Sequence, residues 1–143
     1  MMAVNLRQRM DRFLDFINSG DESIGQDVVS ESAVFHVPFS EQPLKGLVGY
    51  IQILGMMRSS FPDIQWAIDD TVIEGDKVVA KFTLSGTHKG DFFGVPPTGR
   101  KIQVRAMNIY RFHEDKILEE TGLPDIFAMM LQIGAIKPPQ PPQ

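Results

Sequence analysis

Hydrophobic positions recur along this chain first at helical spacing and then at strand spacing. Leu6, Met10, Phe13, Leu14 and Ile17 form one stripe of an amphipathic helix. Gly20 ends it, and Asp21 caps a short second helix that carries Ile24 and Val28. Glu31 to Pro38 reads as a short strand stopped by its proline. Leu47, Tyr50, Ile51, Leu54 and Phe61 mark a third helix, closed by Pro62. From Ile64 onward the period becomes two. Ile64–Glu74 and Lys77–Lys89 form a hairpin about Gly75-Asp76. In its second strand Val78, Ala80, Phe82, Leu84, Gly86 and His88 share one face, and Lys77, Lys81, Thr83, Ser85 and Thr87 dominate the other. A corner rich in glycine and proline, Gly90 to Gly99, leads to a last hairpin, Arg100–His113 and Lys116–Thr121, about Glu114-Asp115. Ile126–Ile133 is helical and Gly134 stops it.

Three helices followed by long antiparallel strands predict an α+β fold, with helices on one face of the sheet. The Gly/Pro corner favours a strongly curved sheet, a half-open cone that leaves a cavity between sheet and helices. Ile102, Val104, Ala106, Asn108, Tyr110 and Phe112 share one strand face. An apolar face with only two polar heads suits a pocket wall better than a filled core. The spacing predicts a single domain over residues 1–136 and a disordered Pro/Gln tail over 137–143.

Composition narrows the partners. The chain has 143 residues and a net charge of −4, which argues against nucleic acid and anionic membranes, since both call for a basic face. No apolar run approaches membrane-spanning length, and the first twenty residues lack the layout of a signal peptide; a cytoplasmic protein is expected. There is no cysteine, hence no thiolate nucleophile or zinc–thiolate site. Three scattered histidines without an i, i+4 pair, and no dinucleotide glycine fingerprint, predict neither metal nor organic cofactor. Met107 and Ile109 lie opposite Asn108 and Tyr110, and this apolar outer face predicts a homodimer or higher homo-oligomer.

Few residues are suited to chemistry. Asp125, between Pro124 and Ile126-Phe127-Ala128, reads locally as a helix N-cap. Pairing of Phe112 with Ile117 would turn Ile117, Glu119 and Thr121 toward the cavity and Glu120 outward. The other reading of Glu119 is an ion pair with Arg105 or Arg111. His36 and His88 match the parity of cavity-facing neighbours, where a neutral imidazole can bind or polarise a carbonyl, though a lone strand histidine is more often structural. Asn108 and Tyr110 are suited to holding a developing oxyanion, because neither needs a pKa shift to donate. Met56, Met57, Met129 and Met130 suit adaptable packing, or the wall of a pocket for a flat ligand.

The element order, the segment GTHKGDFFGVPPTGRKI, the strand end NIYRF and the stretch KILEETGLPDIFAMMLQIGAI resemble the SnoaL-like polyketide cyclases of the NTF2-like superfamily. The specific part of the resemblance runs from Gly86 to Ile136, with Glu119 and Asp125 in the places of a glutamate and an aspartate six residues apart. It implies an NTF2-like cone and an intramolecular aldol ring closure of an apolar, polyketide-like small molecule, without metal or organic cofactor. Asp125 is then the general acid/base, with His36, His88, Asn108, Tyr110, Glu119 and Thr121 in the pocket. Two residues depart from the family pattern: Thr121 stands where Trp is frequent, and Asn108 where His is frequent. The same fold also carries cofactor-free oxygenases, isomerases and non-catalytic small-molecule binders, which remain the alternative functions.

Overall fold

The computed structural model describes residues 4–141. The elements run α1 (Leu6–Ser19), α2 (Glu22–Val28), β1 (Val29–His36), β2 (Leu44–Lys45), α3 (Gly46–Ser60), β3 (Gln65–Glu74), β4 (Lys77–Thr87), β5 (Lys101–His113), β6 (Lys116–Pro124) and α4 (Ile126–Gln132). Asn5 accepts from the Gln8 N–H at the start of α1, and Asp21 accepts from the Ser23 N–H at the start of α2. Each supplies an oxygen to an otherwise orphaned helix N–H. Of the tail expected at 137–143, residues 142 and 143 lie outside the described residues.

The strands form one sheet in the order β2-β1-β6-β5-β4-β3. Neighbours are antiparallel, as expected, except that β1 lies parallel to β6. The sheet is therefore mixed. That pair joins elements some eighty residues apart and crosses by way of everything between them, so no hairpin signal announces it. The expected alternation of β5 holds: Ile102, Val104, Ala106, Tyr110 and Phe112 are buried and Asn108 is half-buried, while Met107 and Ile109 are exposed on the other face.

The helices pack against the inner face through an aromatic cluster. Phe13 of α1 meets Tyr50 of α3 and Tyr110 of β5, each at a ring-centroid distance of 5.3 Å, and Phe35 of β1 meets Tyr50 at 4.6 Å. These contacts carry the offset and edge-on packing that aromatic rings prefer. They also hold two tyrosines rigidly where helix and sheet converge. Among the described residues no helix is long and apolar enough to cross a membrane.

The 88–100 corner is tied down at both ends. The His88 N–H donates to the Arg100 carbonyl and the Gly99 N–H to the His88 carbonyl, both at 2.8 Å. The Lys89 and Gly90 N–H groups donate to Ser60 O at the end of α3. Gly90 is required there, because a Cβ would stand 1.9 Å from the Ser59 carbonyl oxygen. At the tip Phe92 and Val95 exchange backbone hydrogen bonds of 3.0 Å, and Phe92 packs edge-on against Phe61 at 5.3 Å. The corner thus carries an aromatic ring back into the interior.

Candidate active site

A cavity of about 70 Å³ lies between the inner sheet face and the helices and opens to solvent at its mouth. Ile53, Leu54 and Met57 of α3, Leu84 of β4, Ala106 of β5, Ile126 of α4, and Val37, Pro38, Phe39 and Phe92 from loops make its wall apolar. Trp66 completes one side. The other polar heads that reach it are Tyr50, Asn108 and Glu120, with Gly122 between the last two. Among the described residues no lysine, arginine or histidine lines it.

Glu120 is the carboxylate of this site. It is 3% exposed, and its Oε2 has no hydrogen-bond partner. Burial pushes its carboxyl up to about 7, against which a hydrogen bond from the Tyr110 hydroxyl acts only in part. Desolvation penalises the charged form, so this acid holds its proton to neutral pH. Both tyrosine hydroxyls are raised well above their ordinary value, first by burial and then by the nearby Glu120 charge. They therefore remain O–H donors throughout the physiological range.

A hydrogen-bond chain supports the carboxylate. The Leu123 N–H donates to Asn108 Oδ1 at 3.1 Å, which fixes the amide orientation. Asn108 Nδ2 then donates to the Tyr110 oxygen, also at 3.1 Å. That leaves the Tyr110 proton for Glu120 and one Asn108 N–H for the cavity. Tyr50 approaches from the opposite side, on α3.

The expected pocket residues divide into two groups. Asn108 lines the cavity, and Tyr110 lies directly behind it. The others are elsewhere. Glu120 was expected to face outward and faces inward, whereas Glu119 and Thr121 lie on the outer side. The cause is a β-bulge: Phe112 does pair with Ile117, but Arg111 pairs with Glu119, which leaves Leu118 as an extra residue. One inserted residue reverses the inward and outward parity of everything after it. Glu119 instead meets His36 Nε2 at 3.1 Å and Arg111 Nε at 3.6 Å, so the ion-pair reading of Glu119 describes its surroundings. The His36 hydrogen bond is the main reason its carboxyl lies below the usual range, with Arg111 adding to it.

His36 belongs to that outer cluster because Ala33 and Phe35 take the inner side of β1. His88 is fully buried yet outside the cavity lining. Its Nδ1 accepts from the Thr98 N–H at 3.2 Å, with the Thr98 hydroxyl at 3.0 Å. It braces the corner that delivers Phe92. Asp125 is exposed and caps α4, accepting from the Ala128 N–H at 2.9 Å. It is not among the residues that line the cavity. Glu120 and Tyr50 are the residues that sequence reasoning missed. The doublets in Ile117-Leu118-Glu119-Glu120 fit neither strand parity and were the available sign of the bulge. In the sequence Tyr50 falls in the stripe of the third helix, with nothing to mark it for the cavity. Among the described residues no group of three or more His, Asp or Glu is set to hold a metal ion.

A sequence profile described as SnoaL-like polyketide cyclase matches residues 7–133. Over 116 residues the chain is 27% identical to nogalonic acid methyl ester cyclase of Streptomyces nogalater, covering 80% of this chain and 82% of that one. Two solved structures share the fold closely. IdmH of Streptomyces antibioticus has a TM-score of 0.80 and 28% identity, over 90% of this chain and 97% of that chain. TsrD of Streptomyces laurentii has a TM-score of 0.81 and 27% identity, over 92% and 96%.

Proposed function

Because the chain belongs to the SnoaL-like polyketide cyclase family, we propose that its cavity closes a ring in a neutral, apolar, polyketide-like ester, with Glu120 as general acid and base. The observation that carries this reading is a buried carboxyl, the one among the described residues lining the cavity, with one unpartnered oxygen in a mainly apolar wall that pushes it up to about 7. A base works best when its pKa lies near the working pH, and such a group contributes on the order of 10²–10⁴-fold.

Ionised Glu120 takes a proton from a carbon next to a carbonyl, and that C–H electron pair becomes an enolate. The enolate carbon attacks a second carbonyl carbon of the same molecule, forming the C–C bond and moving charge to the second oxygen. Glu120 returns the proton there, so the product has the mass of the substrate. The Tyr50 hydroxyl and the free Asn108 N–H are placed to hold the oxyanions, a role worth on the order of 10²-fold or more per donor in a water-excluded site. Tyr110 positions the carboxylate. A free carboxylic acid substrate would meet the Glu120 charge with no cation to offset it, which favours an ester.

The test is direct. Polyketide methyl esters, nogalonic acid methyl ester among them, should give ring-closed products of unchanged mass, and their free acids should react far more slowly. Equal turnover of acids and esters, or undiminished turnover by Glu120→Gln, overturns the reading.

We further propose that a second copy of the chain covers the outer sheet face. Val72, Val79 and Ile109 form one row across β3, β4 and β5, and Met107 and Leu123 form the next. Met107 is 56% exposed and Leu123 63%. Contiguous exposed apolar rows on a soluble protein mark an association surface. Light scattering should give at least twice 16.1 kDa, and Met107→Asp should shift the protein toward monomer. A wild-type monomer at micromolar concentration refutes the assembly and leaves the chemistry untouched.

A further inference from the structure

Gly122 sits in the interior of β6, buried, facing the cavity between two of its polar heads. A glycine inside a strand weakens it by about 0.5–1 kcal/mol, so its presence needs a reason. The usual reasons are absent. Register is regular around it, with Asn108 opposite Gly122, Met107 opposite Leu123 and Ile109 opposite Thr121, so it marks no bulge. It is not one of the described glycines with positive φ. No backbone stands in the way of a side chain. The nearest atoms to an added Cβ would be Glu120 Oε1 at 3.2 Å, Asn108 Oδ1 at 3.5 Å and Asn108 Cγ at 3.7 Å. What glycine leaves free is therefore a space bounded by the acid/base carboxylate and the amide.

We infer that Gly122 is a specificity-determining residue, the seat over which the substrate lays the carbon atoms flanking its reacting oxygen. The inference rests on the reading of Glu120 as the acid/base. A molecule whose oxygen or acidic hydrogen engages Glu120 must bring its neighbouring carbons within a few ångströms of that carboxylate. Among the described residues lining the cavity, Gly122 is the one without a side chain. A methyl group at 122 would occupy this space and press on Glu120 Oε1, so broad, flat molecules would be excluded before slim ones. One methyl in such a position changes discrimination by roughly 10- to 200-fold.

Two neutral probes separate the possibilities. 2-Naphthol presents a hydroxyl on a broad ring system and reports its surroundings by fluorescence; phenol has the same hydroxyl on a single ring and is measured by competition. Gly122→Ala should weaken 2-naphthol about tenfold while changing phenol by less than about threefold, and Gly122→Val should abolish 2-naphthol binding. Thermal melting of Gly122→Ala should change little, because the atom its methyl meets first, Glu120 Oε1 at 3.2 Å, ends a flexible side chain that can shift. In the wild-type protein, nuclear Overhauser contacts from the bound naphthol ring to the Gly122 α-protons should be present, a measurement that needs no variant. Equal weakening of both probes, an unchanged naphthol affinity in the Ala and Val variants, or absence of those contacts overturns the inference. In each of those cases the Glu120 reading stands if Glu120→Gln still removes the pH dependence of naphthol binding. Failure of the wild-type protein to bind 2-naphthol at all overturns the inference and leaves the Glu120 reading to the turnover of Glu120→Gln.

Discussion

Glu119 and Glu120 are consecutive residues on β6, and the two faces of the sheet treat them in opposite ways. Glu119 points to the outer face, half-exposed between His36 and Arg111, and its carboxyl is held below the usual range. Glu120 points inward, buried with one unpartnered oxygen, and its carboxyl rises to about 7. The side chains are chemically identical. What differs is burial on the inner side against the His36 hydrogen bond, with the Arg111 cation beside it, on the outer side. The outer face can place cations beside its acid because water screens them. Among the described residues the inner face holds a single acid among apolar groups and tyrosines, and burial there raises it toward neutrality. Which glutamate plays which part is decided by one extra residue, Leu118, just before them.

The strongest way to break this contrast is to neutralise one acid at a time and follow turnover. Glu120→Gln should lower it by on the order of 10² or more. Asp125→Asn, which keeps a capping oxygen on an exposed residue, should leave turnover within about threefold. The reverse pattern would move the chemistry to the mouth of α4.

Stability against pH sharpens the contrast next. Folded Glu120 keeps its proton to about pH 7, whereas in the unfolded chain it releases it near an ordinary 4.5. Between those values the folded state binds more protons, so stability falls as pH rises and levels off above 7. The fall amounts to about 3 kcal/mol from this group. Denaturant midpoints measured from pH 4.5 to 8 should show that fall in the wild-type protein and lose it in Glu120→Gln. A wild-type profile that is flat across the interval would place the carboxyl in water.

The smallest effect belongs to the outer acid. Glu119→Gln removes the half-exposed ion pair with Arg111 and alters the His36 hydrogen bond, contacts worth under about 1 kcal/mol, the first screened by salt. Chemical denaturation should register little change, and turnover should persist. A loss above 2 kcal/mol would mean that the outer cluster is sealed from solvent, as at a tight subunit interface.

Much of the scaffold was legible in the sequence because it rests on local periodicity. The α1 stripe, the β3–β4 hairpin at Gly75-Asp76 and the inward row from Ile102 to Phe112 all follow from spacing that one element carries by itself. Asn108 and Tyr110 were found for that reason. The carboxylate was not, because a bulge is a relation between two strands. Leu118 carries no glycine or proline signal, and the register it shifts depends on β5 and on the parallel partner β1. Tyr50 escaped for a related cause: its position beside Glu120 exists only once α3 is laid on the sheet through Phe13 and Phe35. The resemblance to a family of known fold identified the architecture, and it pointed to Asp125, a residue this chain uses as an exposed helix cap.

The central claim is that one glutamate of this chain is held in the cavity with a carboxyl group titrating near neutrality. Carbon-13 labelling of the glutamate carboxyls, followed by nuclear magnetic resonance across pH 3 to 9, measures this residue by residue. A single carboxyl resonance should titrate at about 7, with Glu119 below the ordinary range, and the late resonance should vanish in Glu120→Gln. A set of glutamates that all titrate in the ordinary range, or a late resonance that survives Glu120→Gln, would contradict the account.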